Sequence, residues 1–97
     1  MIEIRQTSVF KEWLENLRDQ VAAQRIKIRI ARLEAGLFGD ARFLEGKIGE
    51  LKIDHGPGYR VYFTRRGNTV VILLCGGNKK TQNKDIRMAE EMAEELE

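Results

Sequence analysis

Apolar residues recur every three or four positions in the first third of the chain, a spacing typical of amphipathic helices. Two helical faces follow from it: Phe10, Trp13, Leu14, Leu17 and Val21, and then Ala22, Ile26, Ile30 and Leu33. The first face predicts a helix over about residues 8–18, capped by Thr7 or Ser8. The second predicts a helix over roughly residues 20–35 that ends at Gly36. Residues 26–30 alternate as a strand would, but the uninterrupted length of the segment favours a helix.

The second half of the chain has the pattern of strands joined by tight turns. The predicted strands are Ile48–Asp54, Tyr59–Phe63 and Thr69–Cys75, with a further short one at residues 2–4. Turn residues at 55–58 and 66–68 connect the first three, so these strands should pair antiparallel. The third is continuously apolar, which predicts a central strand covered on both faces. Residues 36–47 are predicted as a connecting loop.

A final helix is predicted after the strands. Ile86, Ala89, Ala93 and Leu96 repeat at helical spacing, and Thr81 can cap the segment. The order is therefore β-α-α-β-β-β-α. This is an α+β fold, in which a small antiparallel sheet packs against an N-terminal helical hairpin and a C-terminal helix. A length of 97 residues suits one domain, so we expect residues 1–97 to form a single domain.

Charge is distributed unevenly along the chain. Residues 1–87 carry 17 basic and 10 acidic side chains, a net charge of +7, whereas the last ten residues carry five glutamates and no basic residue. A basic body of this size attracts polyanions such as nucleic acids. The acidic end is interpreted as a solvated helix terminus, because Glu is a good helix former.

Composition also excludes several classes of protein. A single cysteine excludes an internal disulfide, and one Cys with one His argues against a zinc cage, so neither a metal nor a cofactor is predicted. No apolar run approaches the roughly 20 residues of a membrane span. The N-terminus lacks the basic and apolar regions of a signal peptide. We therefore expect a cytoplasmic protein with no membrane partner.

Three strings of residues together carry a resemblance to a known family. They are Glu50-Leu51-Lys52-Ile53, Gly56-Pro57-Gly58-Tyr59-Arg60-Val61-Tyr62-Phe63 and Leu73-Leu74-Cys75-Gly76-Gly77-Asn78-Lys79-Lys80-Thr81-Gln82, with Phe10 and Trp13-Leu14 upstream. Over essentially its whole length the chain resembles the RelE/ParE toxin superfamily, and in particular its phage-derived, HigB-like addiction module killer branch. The second and third strings carry the specificity at their observed separation, because either one alone would be a common hairpin pattern.

The resemblance implies the toxin of a type II toxin–antitoxin system. RelE-like members are mRNA endonucleases that act in the ribosomal A site, whereas ParE-like members share the fold and inhibit DNA gyrase without nuclease chemistry. The resemblance also implies a cognate antitoxin, which is usually a helix-turn-helix protein in the HigB-like branch. Fold alone does not settle activity. We expect an mRNA interferase acting on ribosome-bound mRNA, with a gyrase poison or a non-toxic nucleic-acid- or protein-binding module as alternatives.

Metal-free RNA cleavage needs cations as well as proton transfer. The 2′-hydroxyl attacks the adjacent phosphorus, a base takes its proton, cations stabilise the charged phosphorane, and an acid protonates the 5′-oxygen. RelE-like enzymes resemble each other in meeting this need with basic residues on the sheet. The resemblance therefore implies Arg60, Lys52 and Lys79 as catalytic residues, and we add Lys80, Tyr62 and Lys84 as RNA-binding residues.

Alternation along the strands predicts where these side chains point. Arg60 and Lys52 both face away from the core, and the planar fork of an arginine suits phosphate oxygens. Tyr62 shares the face of Arg60, which makes it a candidate for stacking on RNA bases. Cys75 is interpreted as a small buried hydrophobe.

The proton acceptor stays unassigned. Many active RelE-like members carry a Tyr or His near the C-terminus, and this chain has neither after residue 62. Asp85 could act as a base, but a carboxylate at the start of a helix is more often a partner of the helix dipole. His55 could also act as a base, because an imidazole exchanges protons readily near neutral pH. A lone histidine in a turn, however, is more often an exposed polar residue.

Overall fold

The computed structural model describes residues 1–96. Its strands are β1 (Glu3–Gln6), β2 (Ala41–Phe43), β3 (Ile48–Ile53), β4 (Tyr59–Arg66) and β5 (Val70–Asn78). Its helices are α1 (Ser8–Glu15), α2 (Gln20–Glu34) and α3 (Gln82–Glu95), and a short 3₁₀ turn at Lys79–Thr81 precedes α3. The predicted α+β class is confirmed. In this part of the chain, no helix has the length and apolar character needed to cross a membrane.

The described strands form a sheet in the order β1-β5-β4-β3-β2. The three predicted strands, β3 to β5, pair antiparallel as expected. β1 pairs parallel with β5, with Ile4 opposite Val71, so the prediction of an antiparallel sheet is wrong at this edge. Tight turns enforce antiparallel pairing, whereas α1 and α2 separate β1 from the other strands and leave its direction free.

The opposite edge of the sheet is β2, which lies within the segment 36–47 predicted as a loop. Arg42 pairs with Glu50 and Phe43 with Gly49, so the loop prediction is wrong for these residues. Three residues are too few to show the alternation that identifies a strand. The pairing places Arg42 beside Glu50.

Capping residues set the boundary between α1 and α2. Thr7 caps α1 as predicted, its Oγ1 accepting a first-turn backbone N–H at 3.1 Å. α1 ends at Glu15 rather than at residue 18, because Asp19 begins a new helix by accepting the N–H of Ala22 at 3.0 Å. Val21 therefore belongs to α2 and is 55% exposed, so its assignment to the apolar face of the first helix is wrong.

α2 buries the face that the apolar spacing predicts. Ala22, Ile26 and Leu33 have no exposed surface. The helix ends at Glu34, and Gly36 follows with a φ of 83°, a left-handed conformation that glycine adopts without strain.

Each face of the sheet carries its own hydrophobic core. α1 and α2 pack on one face, where the core consists of Ile2, Phe10, Ile26, Leu33, Leu51, Ile53, Val61, Phe63, Val71 and Leu73. α3 packs on the other face, where the core consists of Ile48, Tyr62, Ile72, Leu74, Cys75, Ala89 and Ala93. β5 contributes side chains to both cores, which confirms the predicted central strand. The predicted burial of Cys75 is also confirmed.

A bulge in β5 sets the register at the end of the sheet where α3 begins. Tyr62 pairs with Cys75 and Phe63 with Leu73, so Leu74 is the extra residue. Beyond the bulge, Gly77 lies opposite Arg60. The absence of a side chain at Gly77 leaves space on the α3 face of the sheet.

Candidate functional site

A polar pocket lies on the α3 face of β2, β3 and β4, beside the start of α3. Register brings Arg42 opposite Glu50, and Lys52 opposite Arg60. The pocket has a volume of about 340 Å³ and is lined by Asp40, Arg42, Glu50, Lys52, Arg60 and Gln82. Cations and carboxylates therefore converge at one place, which makes this pocket a candidate site for a charged ligand.

A larger groove of about 500 Å³ lies between β1, α1 and α2. Its lining is partly apolar, with Leu14, Ala23 and Ile30, and its two cations are Lys11 and Lys27. Both of these lysines are exposed to solvent. The smaller pocket is therefore the better candidate for chemistry.

Arg60 forms a buried wall of the pocket. Its side chain lies away from the α1–α2 core, as alternation predicts. Only 7% of the residue is nevertheless exposed. Its Nη1 donates to the carbonyl of Gly58 at 2.6 Å. Within residues 1–96, its buried Nε has no hydrogen-bond partner. A buried donor without a partner is costly, so an acceptor beyond the described residues, from water or from a ligand, would stabilise this arrangement.

Gly58 allows this arrangement of Arg60. Gly58 has a φ of 81°, and a Cβ there would lie 2.6 Å from Arg60 Nη1 and 3.6 Å from the Cβ of Lys79. The guanidinium can therefore fold back over the turn only because the turn residue has no side chain.

Lys52 is exposed and lies on the same face as Arg60, as alternation predicts. Its backbone carbonyl accepts a hydrogen bond from Arg29 Nη1 at 2.5 Å, and Arg29 Nη2 also donates to the carbonyls of Phe38 and Asp40. Arg29 thus ties α2 to the strand ends that carry the pocket. Burial lowers the pKa of Arg29, and the nearby Asp40 opposes this shift.

Glu50, Arg42 and Gln82 are pocket residues that the sequence analysis did not single out. Glu50 is only 3% exposed, and its two carboxylate oxygens accept from Arg42 Nε at 2.7 Å and from Gln82 Nε2 at 2.9 Å. Burial raises the pKa of Glu50, but the hydrogen bonds from Arg42 and Gln82 outweigh it and hold the pKa below its ordinary value. Alternation provides a signal for Glu50, because it shares the strand face of Lys52.

Tyr62 is fully buried at 0% exposure, in the core beneath α3. It cannot stack on an RNA base from there, so the prediction that it is an RNA-binding residue is wrong. The reason is that α3 covers this part of the sheet, which alternation along β4 cannot reveal. Burial raises the pKa of Tyr62, and the neighbouring Glu50 carboxylate raises it further.

Asp85 lies in the first turn of α3 and is buried against the sheet rather than in the pocket lining. Its Oδ2 accepts from Thr81 Oγ1 at 2.5 Å. A Cβ on Gly77 would collide with this carboxylate, so Asp85 occupies the space that Gly77 leaves open. Thr81 precedes α3 as predicted, although its hydroxyl donates to Asp85 and accepts the backbone N–H of Asn78, and does not cap an N–H of α3.

The three lysines predicted near the C-terminus are exposed and do not line the pocket. Lys79 and Lys80 belong to the 3₁₀ turn, where Asn78 Oδ1 accepts the N–H of Lys80 at 2.8 Å. Lys79 lies nearest, since its Cβ approaches Gly58 on the Arg60 side. Lys84 is on the exposed surface of α3. The structure thus brings together Arg60 and Lys52 in the pocket, whereas Lys79 lies beside the Gly58 turn outside the lining.

His55 is half-buried and lies apart from the pocket lining. Its Nε2 is 3.0 Å from Asp19 Oδ2, which joins the β3–β4 turn to the cap of α2. The hydrogen bond from Ala22 N–H, together with His55, lowers the pKa of Asp19. His55 therefore has a structural partner, and the prediction of an exposed turn residue is wrong in this respect.

Comparison with known proteins gives a family for this fold and site. Residues 12–95 match the family model described as phage derived protein Gp49-like (DUF891), a span that contains every residue of the pocket lining. A Haemophilus influenzae protein named only as uncharacterized is 47% identical over 95 residues, which covers 98% of this chain and 96% of that protein. The Gp49-like family is consistent with the toxin of a toxin–antitoxin module. The chain belongs to the phage-derived Gp49-like family.

Proposed function

We propose that this protein is the toxin of a type II toxin–antitoxin system and that it cleaves ribosome-bound mRNA by metal-free attack of the 2′-hydroxyl. The observation that carries the proposal is the buried Arg60 guanidinium, which has an unpartnered Nε and lies opposite Lys52 in a polar pocket. A buried cation is destabilising until an anion pairs with it. The phosphodiester of RNA is such an anion, and family membership supports the toxin assignment.

Arg60 and Lys52 have the chemistry that the transition state requires. As the phosphorane forms, negative charge grows on its oxygens, and the rigid, always-charged guanidinium of Arg60 stabilises it. The hydrogen bond to Gly58 orients the guanidinium beforehand, so little reorganisation is needed during the reaction. Lys52 is exposed and opposite Arg60, where its ammonium can donate a proton to the 5′-oxygen as that group leaves.

The basic residues in and beside the pocket suggest how an antitoxin would act. We propose that the antitoxin places acidic side chains over Arg60, Lys52 and Lys79. Charge complementarity of this kind gives fast association that weakens as salt concentration rises. Expression of the protein alone should then arrest bacterial growth, and co-expression with the product of the adjacent reading frame should restore it.

Single-turnover primer extension on programmed ribosomes tests the proposed cleavage. Arg60→Ala should slow cleavage by ~10²–10³-fold, the loss typical of one donor to a developing oxyanion. Arg60→Lys should restore part of the rate, because it keeps the charge but loses the planar fork. Arg65→Ala is the matched control, since it removes an exposed arginine from the same strand outside the pocket.

Two measurements make the result decisive. Because Arg60 is buried, thermal unfolding of each variant must show that the fold is retained before rates are compared. No cleavage by the wild type, with or without ribosomes, together with inhibition of gyrase supercoiling, would overturn the proposal and place the protein among non-enzymatic poisons.

A further inference from the structure

Arg42 and Glu50 form an ion pair with very unequal exposure. Arg42 Nε lies 2.7 Å from Glu50 Oε1, and the two side chains are 59% and 4% exposed. The carboxylate belongs to the floor of the pocket, whereas the guanidinium belongs to the rim and comes from the short edge strand β2. The pair therefore fixes an otherwise solvent-exposed cation at the mouth of the site.

Both carboxylate oxygens of Glu50 accept a hydrogen bond from another element of the fold. Oε1 accepts from Arg42 on β2, and Oε2 accepts from Gln82 at the first position of α3. A buried carboxylate accepting two hydrogen bonds is held in the charged form. Glu50 thus joins an edge strand and a helix start to β3, with its charge matched by Arg42.

Arg42 retains solvent-exposed donors that a ligand could use. Its hydrogen bond to Glu50 uses only Nε, and within residues 1–96 its Nη1 and Nη2 make no hydrogen bond. A guanidinium carries five N–H groups, so it can bond a carboxylate along one edge and a phosphate along another. Arg42 is diagonal to Lys52 across the β2–β3 ladder, and diagonal positions are about 7–8 Å apart, within reach of long side chains.

We infer that Arg42 is a third phosphate-binding cation of this pocket and that Glu50 is the positioning residue that holds it in place. The assignment rests on the proposed RNA cleavage for its substrate, but it concerns anion binding and not the proton transfer. Arg42, Lys52 and Arg60 then surround one phosphodiester from three strands. Glu50 acts through Arg42, because it limits the orientations that an arginine on a three-residue edge strand would otherwise sample.

The competing role for Glu50 is direct proton transfer from the 2′-hydroxyl. The hydrogen bonds from Arg42 and Gln82 argue against it, because they stabilise the charged carboxylate and so make it a weaker proton acceptor. The two roles predict different behaviour in a double-mutant cycle. A positioning residue loses its effect when the residue that it positions is absent, whereas a proton acceptor does not.

The experiment measures single-turnover cleavage by wild type, Arg42→Ala, Glu50→Gln and the double variant on programmed ribosomes. Arg42→Ala should slow cleavage on the order of 10²-fold, and Arg42→Lys should recover part of that loss. Glu50→Gln should slow the wild type by a smaller factor and should not slow the Arg42→Ala variant further. Arg65→Ala and Glu91→Gln, both exposed and outside the pocket, are matched controls.

A binding measurement separates this inference from the proposed cleavage. A short single-stranded RNA with 2′-methoxy groups cannot be cleaved by its own sugar, and its affinity is measured by fluorescence anisotropy. Arg42→Ala should weaken binding more than Arg65→Ala does, whether or not the wild type cleaves message. Unchanged binding and cleavage in Arg42→Ala would overturn the inference. An equal loss from Glu50→Gln in both backgrounds would show that Glu50 acts independently of Arg42 and would overturn the positioning role.

Discussion

Lys52 and Arg60 lie directly opposite each other on β3 and β4, with both side chains on the α3 face of the sheet. Like charges at directly opposed positions destabilise an antiparallel pair, typically by about 0.2–1 kcal/mol. We therefore expect Lys52→Gln to raise the free energy of unfolding by a few tenths of a kcal/mol, while it slows cleavage.

Urea unfolding and single-turnover cleavage on the same preparations test this prediction for Lys52. Lys11→Gln is the control for loss of one exposed lysine, because it lies on α1 outside the polar pocket. If Lys52→Gln lowered both stability and activity, Lys52 would stabilise the pairing of β3 and β4. That result would contradict the charge repulsion expected between Lys52 and Arg60.

Gly77 should not tolerate even a methyl group. A Cβ there would meet the Asp85 carboxylate, which Thr81 Oγ1 holds in place at 2.5 Å. Overpacking of this kind costs about 1–3 kcal/mol, so Gly77→Ala should lower the unfolding midpoint clearly. Combining it with Asp85→Ala should recover part of the loss. Strictly additive effects of the two changes would show that the collision is relieved elsewhere.

Most of the helices and strands could be predicted because the spacing of their apolar residues repeats over several helical turns or strand positions. α2 repeats Ala22, Ile26 and Leu33 along one face, and all three are buried. The helix boundaries depend on single capping side chains. Asp19 starts a new helix before Val21, although the apolar spacing assigns Val21 to the first helix. β2 and the parallel direction of β1 depend on pairing with distant strands, so local pattern could not reveal them.

The site was only partly predictable for a similar reason. Alternation places Arg60, Lys52 and Glu50 on one face, and the resemblance draws attention to the first two. Whether that face is exposed to solvent or buried depends on where α3 packs, which explains the burial of Arg60 and Tyr62. The partners of Glu50 come from β2 and α3, so its role becomes visible only in three dimensions.

Cys75 should be chemically inert in the folded protein. Burial beneath α3 raises the pKa of its thiol to about 12, and the Asp85 carboxylate contributes to the shift. Since the thiolate is the reactive form, alkylation by iodoacetamide at pH 8 should be slow in buffer and fast in denaturant. Rapid alkylation of the native protein would show that α3 leaves the sheet frequently.

Acid should weaken the fold partly through Glu50. Its pKa in the folded protein lies below the ordinary value of 4.5, so the charged carboxylate contributes stability that is complete above that pH. The contribution is lost as the pH falls through the lowered pKa of the folded state. The Glu50→Gln variant has no carboxyl group at this position to be protonated, so it lacks this part of the pH dependence.

The free energy of urea unfolding at pH 7 and at pH 3 measures this contribution. The difference between wild type and Glu50→Gln should be largest at pH 7 and should shrink at pH 3. Glu91→Gln removes the same charge from an exposed position of α3, and its pH dependence should follow that of the wild type. If wild type and Glu50→Gln lost stability in parallel on acidification, Arg42 and Gln82 would not be stabilising a charged Glu50, and the positioning role of that carboxylate would fail with them.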